Sequence, residues 1–416
     1  MSSNYWAIPC ALAISVSLHA AEVTHKATNP TPAAQPALAR LVREVLHGNP
    51  GVQAARAAID AARARERAAS RPLYNPELGM GLEQAESDSG FLGLSQAIDW
   101  ADKRGARTDV AHFERAATRA ELAFARQALA GQLLSALARF QTARGLARLA
   151  GRRADLMRRF ASVSQRRQLA GDLNQVDLQV ARLAHAQAKL RRAQAASDVV
   201  AARQALAAVA GDTGRRWPSL PADLPAIEGS FDIERLLITL PQLRARKARI
   251  AAARSAIELS VRQRRPDPTI GLRGGREDDD TLVGLDLNLP LFVRNTFSAE
   301  VDVANAELLR TQRQAEDVYR RAKAQLISAS RQYRITRDAR SAWERSGQES
   351  LSMQLDLLKR LWQAGELGTT DFLVQLNQTL DTQASAMEIG GRAWEAWFDW
   401  LASSGRIDDW LGLPGT

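Results

Sequence analysis

The chain repeats itself, and this duplication constrains its fold more than any other feature of the sequence. Three landmarks occur in the same order and at nearly the same spacing in both halves: a proline before a helical segment, an alternating stretch and a glycine turn. Each half therefore predicts a helix, two strands, a long helix, a glycine turn and a return helix. The matched pairs are Pro50 with Pro241, Gly93 with Gly284, and Gly171 with Gly365.

Each half contains two short stretches in which apolar residues alternate with polar residues or glycine. This is the period of a β-strand that has one apolar face. The clearest stretch is TLVGLDLNLPLFVRN, residues 281–295. The polar, acidic segments 85–90 and 276–281 are typical of turns that face solvent. We predict strands at about 76–84, 91–99, 267–275 and 281–291.

Long helices fill the space between the second strand of each half and the glycine turn. These segments run for about 60–65 residues without proline, which is on the order of 90–100 Å of α-helix. After each turn, apolar residues step by alternating threes and fours, as in the seam of a coiled coil. The predicted seams are Leu173, Val176, Val180, Leu183 and Leu190, and then Leu373, Leu376, Leu380, Met387, Trp394 and Trp397, with interruptions at Gln187, Gln383 and Gly390.

The composition excludes several classes of function but does not assign one. The 416 residues carry a formal charge of +10, but basic and acidic residues are interleaved along the helices rather than clustered in one basic patch. This pattern favours solvated helix faces over a nucleic-acid surface. Cys10 is the only cysteine and the five histidines are scattered. We therefore expect no metal site and no cofactor, and, without a nucleophile-base constellation, no enzymatic activity.

The N-terminus is typical of an exported protein. An apolar run at residues 6–21 is followed by small residues, which predicts a signal peptide at 1–21 and a flexible leader at 22–36. Whether Cys10 is lipidated stays open. No later window has about 18 uninterrupted apolar residues, so any membrane crossing is expected from strands.

Four strands are too few for one chain to cross a membrane alone. Unpaired strand edges are not tolerated in lipid, and closure needs at least about eight strands. Several copies are therefore expected to pool their strands, with the apolar parity facing lipid and the polar parity facing a shared lumen. The predicted lipid-facing residues are Leu92, Leu94, Val283, Leu285, Leu287 and Leu289.

Several segments together resemble a known family, the TolC-like outer membrane efflux proteins, and within it the CzcC-like branch of heavy-metal efflux channels. The segments are NPELGMGLEQ, LSQAIDWADKRGARTDVA, PDPTIGLRGG, LNLPLFVRN and the paired AGD and AGE turns. The resemblance implies a mainly α protein with a small β part. Long antiparallel helical hairpins would form an α-barrel, and four strands per chain would form a trimeric, twelve-stranded β-barrel.

The resemblance also implies a function and partners. Such proteins are passive exit ducts in the outer membrane, with their helical part in the periplasm. They form homotrimers and dock onto a periplasmic adaptor (membrane fusion protein) and an inner-membrane RND-type pump. The implied cargo is heavy-metal cations; the alternatives are a drug or type I secretion duct of the same fold and, more remotely, a structural coiled-coil envelope protein.

Site residues follow from the same resemblance. The implied adaptor-docking tips are Leu169, Ala170, Gly171, Asp172 and Leu173, and Ala364, Gly365, Glu366 and Leu367. Acidic residues just past the tips, Asp177 and Asp371, would constrict the periplasmic gate. Simpler roles exist for both sets, because glycine ends many helices and acids favour the first turn of a helix.

The predicted domains follow the duplication. The first repeat spans 37–211, a linker spans 212–230, the second repeat spans 231–405 and a C-terminal tail spans 406–416. We expect Lys103, Arg104 and Arg107 to extend their charges to the membrane interface. The aromatic residues of the last helix are expected to pack onto the waist of the molecule: Trp394, Trp397, Phe398, Trp400 and Trp410.

Overall fold

The structure is a computed structural model that describes residues 34–84, 88–211, 216–227, 231–277 and 279–413. The predicted signal peptide with Cys10, most of the predicted leader and parts of the predicted linker, of the first strand turn and of the tail lie outside these residues. The first half contains α1 (Pro36–Gly48), α2 (Pro50–Ala69), β1 (Glu77–Gln84), β2 (Asp88–Ala97), α3 (Lys103–Leu169) and α4 (Gln175–Ala210). The second half contains α5 (Ile233–Thr239), α6 (Pro241–Gln263), β3 (Thr269–Glu277), β4 (Asp280–Asn288), α7 (Ser298–Ala342), α8 (Gln348–Ala364), α9 (Thr369–Ser404) and α10 (Ile407–Leu411).

The two halves have matching helices, as the duplication predicts. Helix α3 has 67 residues, and its counterpart is built from α7, a π-helical turn and α8, of 45, 5 and 17 residues. The return helices α4 and α9 have 36 residues each. Pro50 and Pro241 occupy first-turn positions in α2 and α6, where a missing N–H costs nothing.

The π-helical turn at Trp343–Gly347 was not predicted from the sequence. It separates α7 from α8 and replaces one turn of the long second-half helix. The ring of Trp343 occupies the space that a side chain at Gly347 would need, so only glycine fits there. An ion pair of 2.7 Å from Arg340 Nε to Glu344 Oε1 spans the start of the turn. Such turns are rare and widen a helix locally.

The four strands form one antiparallel sheet in the order β1-β2-β3-β4. Leu78, Leu94, Leu272 and Leu285 lie side by side across it and define one face. The strands predicted from alternation are present, but β4 ends at Asn288 rather than at residue 291. Pro290 follows two residues later and has no N–H to donate to a ladder.

The molecule consists of successive layers of secondary structure. Each layer contains four elements side by side, and the first and last of them lie at its edges. Below the sheet, α2, α3, α6 and α7 pack side by side in that order. Farther along, α4 packs on α3, α3 packs on α9, and α9 packs on α7 and α8. In the described chain, β1 and β4 are unpaired on their outer sides, whereas the edge helices α2 and α7 also contact the short helices α1 and α5.

The larger hydrophobic core surrounds the C-terminal end of α9. Trp397, Phe398, Trp400 and Trp410 are almost fully buried, and Trp394 is 4% exposed. The predicted packing of these aromatic residues is therefore confirmed. The described part of the predicted C-terminal tail is not loose, because α10 buries Ile407 and Leu411 in the same core, along with Trp410.

The coiled-coil seam predicted for α4 is only partly correct. The buried residues of α4 are Leu178, Ala181, Ala188 and Leu206, and none of them is a predicted seam position. By contrast, the seam of α9 is confirmed, since Leu373, Leu376 and Leu380 are buried. The larger apolar side chains of the α4 seam point away from the chain.

Candidate functional site: the helical tips and the exposed sheet

The two hairpin tips have the same backbone geometry. At the first tip, Gly171 has φ +85° and donates to Gln168 O at 3.1 Å, while Asp172 N donates to Arg167 O at 2.8 Å. At the second tip, Gly365 has φ +79° and repeats this pair of bonds with Trp362 and Leu361, with Glu366 as the second donor. This is a Schellman motif, which needs a left-handed residue and so favours glycine.

Most of the predicted docking residues lie on the surface at these turns. Leu169 is 77% exposed. Leu173 and Leu367 are half-buried beneath the turns, and Leu367 packs against the smaller core near the tips. The remaining members are exposed: Ala170, Gly171, Asp172, Ala364, Gly365 and Glu366. The sequence located both turns correctly; their role in docking stays a prediction.

The two tips lie at the same end of the molecule and are joined by Arg167. Its Nη2 donates to Trp362 O and Gln363 O, both at 3.3 Å, near the end of α8. Its guanidinium also lies 5.0 Å from the centre of the Trp362 ring. A positive charge at the C-terminal end of a helix is stabilised by the helix dipole, and its contact with the face of the indole ring adds further stabilisation. Sequence reasoning missed Arg167, since nothing in the sequence pairs it with the second tip.

An aromatic cluster supports the second tip from inside. Phe160, Trp362 and Phe372 contact one another, with ring centroids 4.9 to 5.2 Å apart. The cluster joins α3 to both helices of the second hairpin. It therefore holds the two hairpins together just above the turns.

A buried arginine makes a second link between the hairpins. Arg153 on α3 is 7% exposed and donates to Asp381 Oδ1 and Asn377 Oδ1 on α9, both at 2.6 Å. Arg191 on α4 donates to the same Asp381 oxygen at 2.9 Å. The pairing was not predicted, because each arginine is at least 190 residues from its partners in sequence.

The two gate candidates occupy equivalent positions in the first turns of α4 and α9. Asp177 is half-buried, and its N–H donates to the capping side chain of Asn174 at 2.8 Å. Asp371 is exposed and follows Gly368, the N-cap of α9. Both carboxylates lie where they stabilise a helix N-terminus. A gate role for them stays a prediction.

The sheet exposes its leucine face almost completely. Val283, Leu285 and Leu287 are 77%, 80% and 74% exposed, and Leu92 and Leu94 are each 56% exposed. These five residues share one face of the sheet. Leu289 lies just past the end of β4 and is 43% exposed. No part of the described chain covers this surface.

The opposite face of the sheet is mostly polar, apart from Phe91 and Leu282 in a row near the strand turns. One row across it contains Glu77, Ser95, Gly271 and Asp286. Arg273 lies on the same face, with its Nε 3.5 Å from an oxygen of Asp286. One face of the sheet is apolar, the other is mostly polar, and both edges are unpaired. The two faces therefore favour different environments.

A buried ionic network connects the sheet to the helices. Lys103 Nζ lies 2.9 Å from Asp267 Oδ2, and Tyr74 donates to the same oxygen at 2.6 Å. This hydrogen bond to Asp267 raises the pKa of Tyr74 to about 12. The expected interfacial position of Lys103 is therefore wrong, because its side chain is 9% exposed. Arg107 also turns inward, donating to backbone oxygens before β1, whereas Arg104 is exposed.

Comparison with known proteins identifies the first half of the chain. Residues 41–212 match the family described as outer membrane efflux protein. This region belongs to the outer membrane efflux protein family. The predicted family resemblance is thereby confirmed. Members of this family are passive channels, so the expectation that the chain is not an enzyme is confirmed as well.

A curated relative of this chain is the cobalt-zinc-cadmium resistance protein CzcC of Cupriavidus metallidurans. The two are 27% identical over 235 residues, which is 54% of this chain and 56% of the relative. The alignment thus spans little more than half the length of CzcC.

Solved channel structures share the fold over nearly the whole chain. CusC superimposes with a TM-score of 0.73 at 16% identity, covering 90% of this chain and 93% of CusC. The CmeC outer membrane channel of Campylobacter jejuni gives 0.75 at 13% identity, covering 97% and 94%. The open MtrE outer membrane channel of Neisseria gonorrhoeae gives 0.73 at 19% identity, covering 90% of each. The predicted fold class is confirmed.

Two features are absent from the described residues. None of the helices there is both long and apolar enough to span a bilayer. In the same residues, no group of three or more histidine, cysteine, aspartate or glutamate side chains is arranged to hold a metal ion.

Proposed function

We propose that this chain is the outer membrane exit duct of a tripartite efflux system. The observation that carries the proposal is the sheet, whose leucine face is exposed, whose other face is mostly polar and whose edges are open. Burying such a leucine side chain is worth about 1.5–3 kcal/mol, so this face strongly favours an apolar environment. Lipid supplies it on one side, while water in a lumen suits the polar side.

Three copies complete the wall in this proposal. Strands β1 and β4 run in opposite directions, so β4 of one copy can pair antiparallel with β1 of the next. Four strands from each of three copies give an even, twelve-stranded ring with no open edge. The open helical layers below continue the same ring into the periplasm. The family match and the channel folds support this arrangement.

The proposed cargo is heavy-metal cations, supported by the likeness to the cobalt-zinc-cadmium resistance protein CzcC. An inner-membrane RND-type pump supplies the energy, and a periplasmic adaptor connects it to the paired tips. The duct itself needs few contacts with its cargo, because it conducts the cargo passively. A drug or type I secretion duct of the same fold is the alternative.

Deleting the gene in its native bacterium tests cargo and location together. We expect the deletion strain to stop growing at lower cobalt, zinc or cadmium concentrations than the wild-type strain, with its drug tolerance unchanged. Reintroducing the wild-type gene should restore metal tolerance. Membrane fractionation should place the protein in the outer membrane. Lost drug tolerance with normal metal tolerance would favour the alternative cargo, and a protein absent from the outer membrane would overturn the proposal.

The second tip offers a sharper test of adaptor docking. Replacing Gly365 with valine places a β-branched residue at φ +79°, which costs about 1–2 kcal/mol and disturbs the turn. We expect metal resistance to fall while the amount of membrane oligomer stays normal. The measurements are minimal inhibitory concentration and native oligomer mass.

Two further variants separate docking from turn geometry. Asparagine tolerates the left-handed conformation, so Gly365→Asn keeps the turn but adds a side chain to its surface. If the adaptor needs the bare glycine, resistance falls in this variant too. Gly151→Val is the matched control, because Gly151 lies inside α3 with open space around it. Full resistance in both Gly365 variants would contradict the docking assignment.

A further inference from the structure

A cavity of about 450 Å³ lies over α9, between α3 and the π-helical turn. Residues of α9 line one side, residues of α3 line a second, and the end of α7 with the π-helical turn and the start of α8 lines a third. Leu220 and Pro221, from the segment that joins the two halves, cover part of it. The two halves of one chain therefore build this cavity together.

Glycine provides part of the space in the cavity. Gly145 on α3 and Gly390 on α9 both line it. A Cβ atom at Gly390 would lie 3.8 Å from Arg340, and one at Gly145 would lie 3.9 Å from the sulfur of Met387, which are ordinary contact distances. Packing of the helices does not require glycine at either position, although glycine inside a helix is less stable than alanine. The missing side chains leave room above α9.

Hydrogen bonds fix the covering segment in place. Gln141 on α3 donates to Pro218 O at 2.6 Å, and its side-chain oxygen accepts from Leu220 N at 3.1 Å. From the opposite wall, Arg340 donates to Ala222 O at 2.5 Å. The segment is thus attached to both walls of the cavity. A pocket that is already formed loses little freedom when a ligand binds.

The walls combine apolar surface with one unpaired positive charge. Trp343 and Met387 are half-buried and line the cavity. The charge of Arg340 is balanced by Glu344, with 2.7 Å between Nε and Oε1. Arg148 also lines the cavity, but it is exposed and has no hydrogen bond or ion pair with any residue that the structure describes. An indole ring and a free guanidinium therefore border the same space.

These groups define the class of ligand that would fit. A guanidinium matches the two oxygens of a carboxylate and binds them more strongly than a neutral group would. An indole ring favours contact with another aromatic ring. The volume falls within the range of small-molecule sites, about 300–1,000 Å³. The best match is a flat, apolar molecule with an anionic group at one end.

We propose that this cavity binds a small planar aromatic carboxylate, with the carboxylate on Arg148 and the ring beside Trp343. We call it the α9 site. It goes beyond the proposed duct and does not depend on it. A bound molecule contacts both α3 and the π-helical turn, so it stabilises the arrangement of the chain in which both border the cavity.

Equilibrium dialysis of the purified wild-type protein tests the site with 2-naphthoate as the probe and protein-free detergent as the blank. We expect saturable binding of one molecule per chain with a Kd below about 1 mM. Octanoate has the carboxylate but no ring, and it should compete about fivefold less well. Absence of saturable binding, or equal competition by octanoate, would overturn the proposal.

Substitutions locate the bound probe. Arg148→Gln removes the charge and should weaken binding about tenfold. Arg152→Gln is the matched control, since Arg152 is also exposed and unpaired in the described chain but does not line the cavity. Gly390→Leu fills the space and should abolish binding, whereas Gly151→Leu adds the same side chain to open space on α3 and should not. Wild-type affinity in Arg148→Gln or in Gly390→Leu would overturn the site.

Hydrogen exchange gives a readout that is independent of affinity. With 2-naphthoate bound, amide exchange should slow at Trp343–Gly347 and in residues 218–222, while the tips at Gly171 and Gly365 stay unchanged. Gly390→Ala adds only a Cβ atom with ordinary contacts, so it should keep the fold and reduce this protection. Protection elsewhere without any at the π-helical turn would place the probe outside the cavity and overturn the proposal.

Discussion

Replacing Lys103 with methionine is expected to lower the free energy of unfolding by about 3–5 kcal/mol, the cost of leaving a buried charge without its partner. Lys103 and Asp267 have side chains that are 9% and 5% exposed, and their charged atoms lie 2.9 Å apart. Methionine fills much of the same space but cannot pair with the carboxylate. Among the residues that the structure describes, Tyr74 would remain as the only hydrogen-bond donor that Asp267 keeps.

A double variant separates charge from packing. Lys103→Met together with Asp267→Leu removes both charges, and replacing a buried pair by apolar residues is often close to neutral. We expect it to recover most of the lost stability. Thermal and denaturant unfolding of the purified protein in detergent measure both variants. Equal stability of Lys103→Met and the wild type would show that water reaches the pair.

Replacing Trp362 with alanine is expected to cost about 3–5 kcal/mol, the usual range for removing a large buried aromatic side chain. Trp362 is 9% exposed and contacts Phe160, Phe372 and the guanidinium of Arg167. Its loss removes the main apolar link between the hairpins near the tips. The effect should be local, because the larger core near the end of α9 does not include this residue.

Hydrogen exchange and limited proteolysis distinguish a local effect from a global one. Faster exchange in α8 and the start of α9, and new trypsin cleavage at Lys359 and Arg360, should appear in Trp362→Ala. Trp362→Phe keeps a ring in the cluster and should retain most of the protection. Uniformly faster exchange throughout the protein would contradict the assignment of Trp362 to the tips.

The sequence predicted the elements whose signals are local and repeated. Alternation located four strands, missing the end of β4 by about three residues, and the paired glycines marked both Schellman turns. The length of α3 followed from the absence of proline. These predictions succeeded because each depends on backbone preferences within one segment.

Contacts between the halves could not be predicted in this way. Lys103 and Asp267 are 164 residues apart, and only the folded chain shows that the lysine turns inward. The π-helical turn depends on how the Trp343 ring meets Gly347, which has no established sequence pattern. Most of the heptad stripe of α4 is exposed in the described chain, so a helix that packs on it stays a prediction.

In the proposed duct, the open edges of the sheet affect how the number of assemblies depends on the amount of subunit. In that proposal, a single copy carries exposed leucines such as Leu285 until other copies and lipid cover them. In a three-copy assembly, the supply of finished ducts rises with up to the third power of subunit concentration, while unassembled copies remain exposed to degradation. Doubling synthesis could then raise the number of conduits by up to about eightfold, so a modest transcriptional response would yield a steep gain in export capacity.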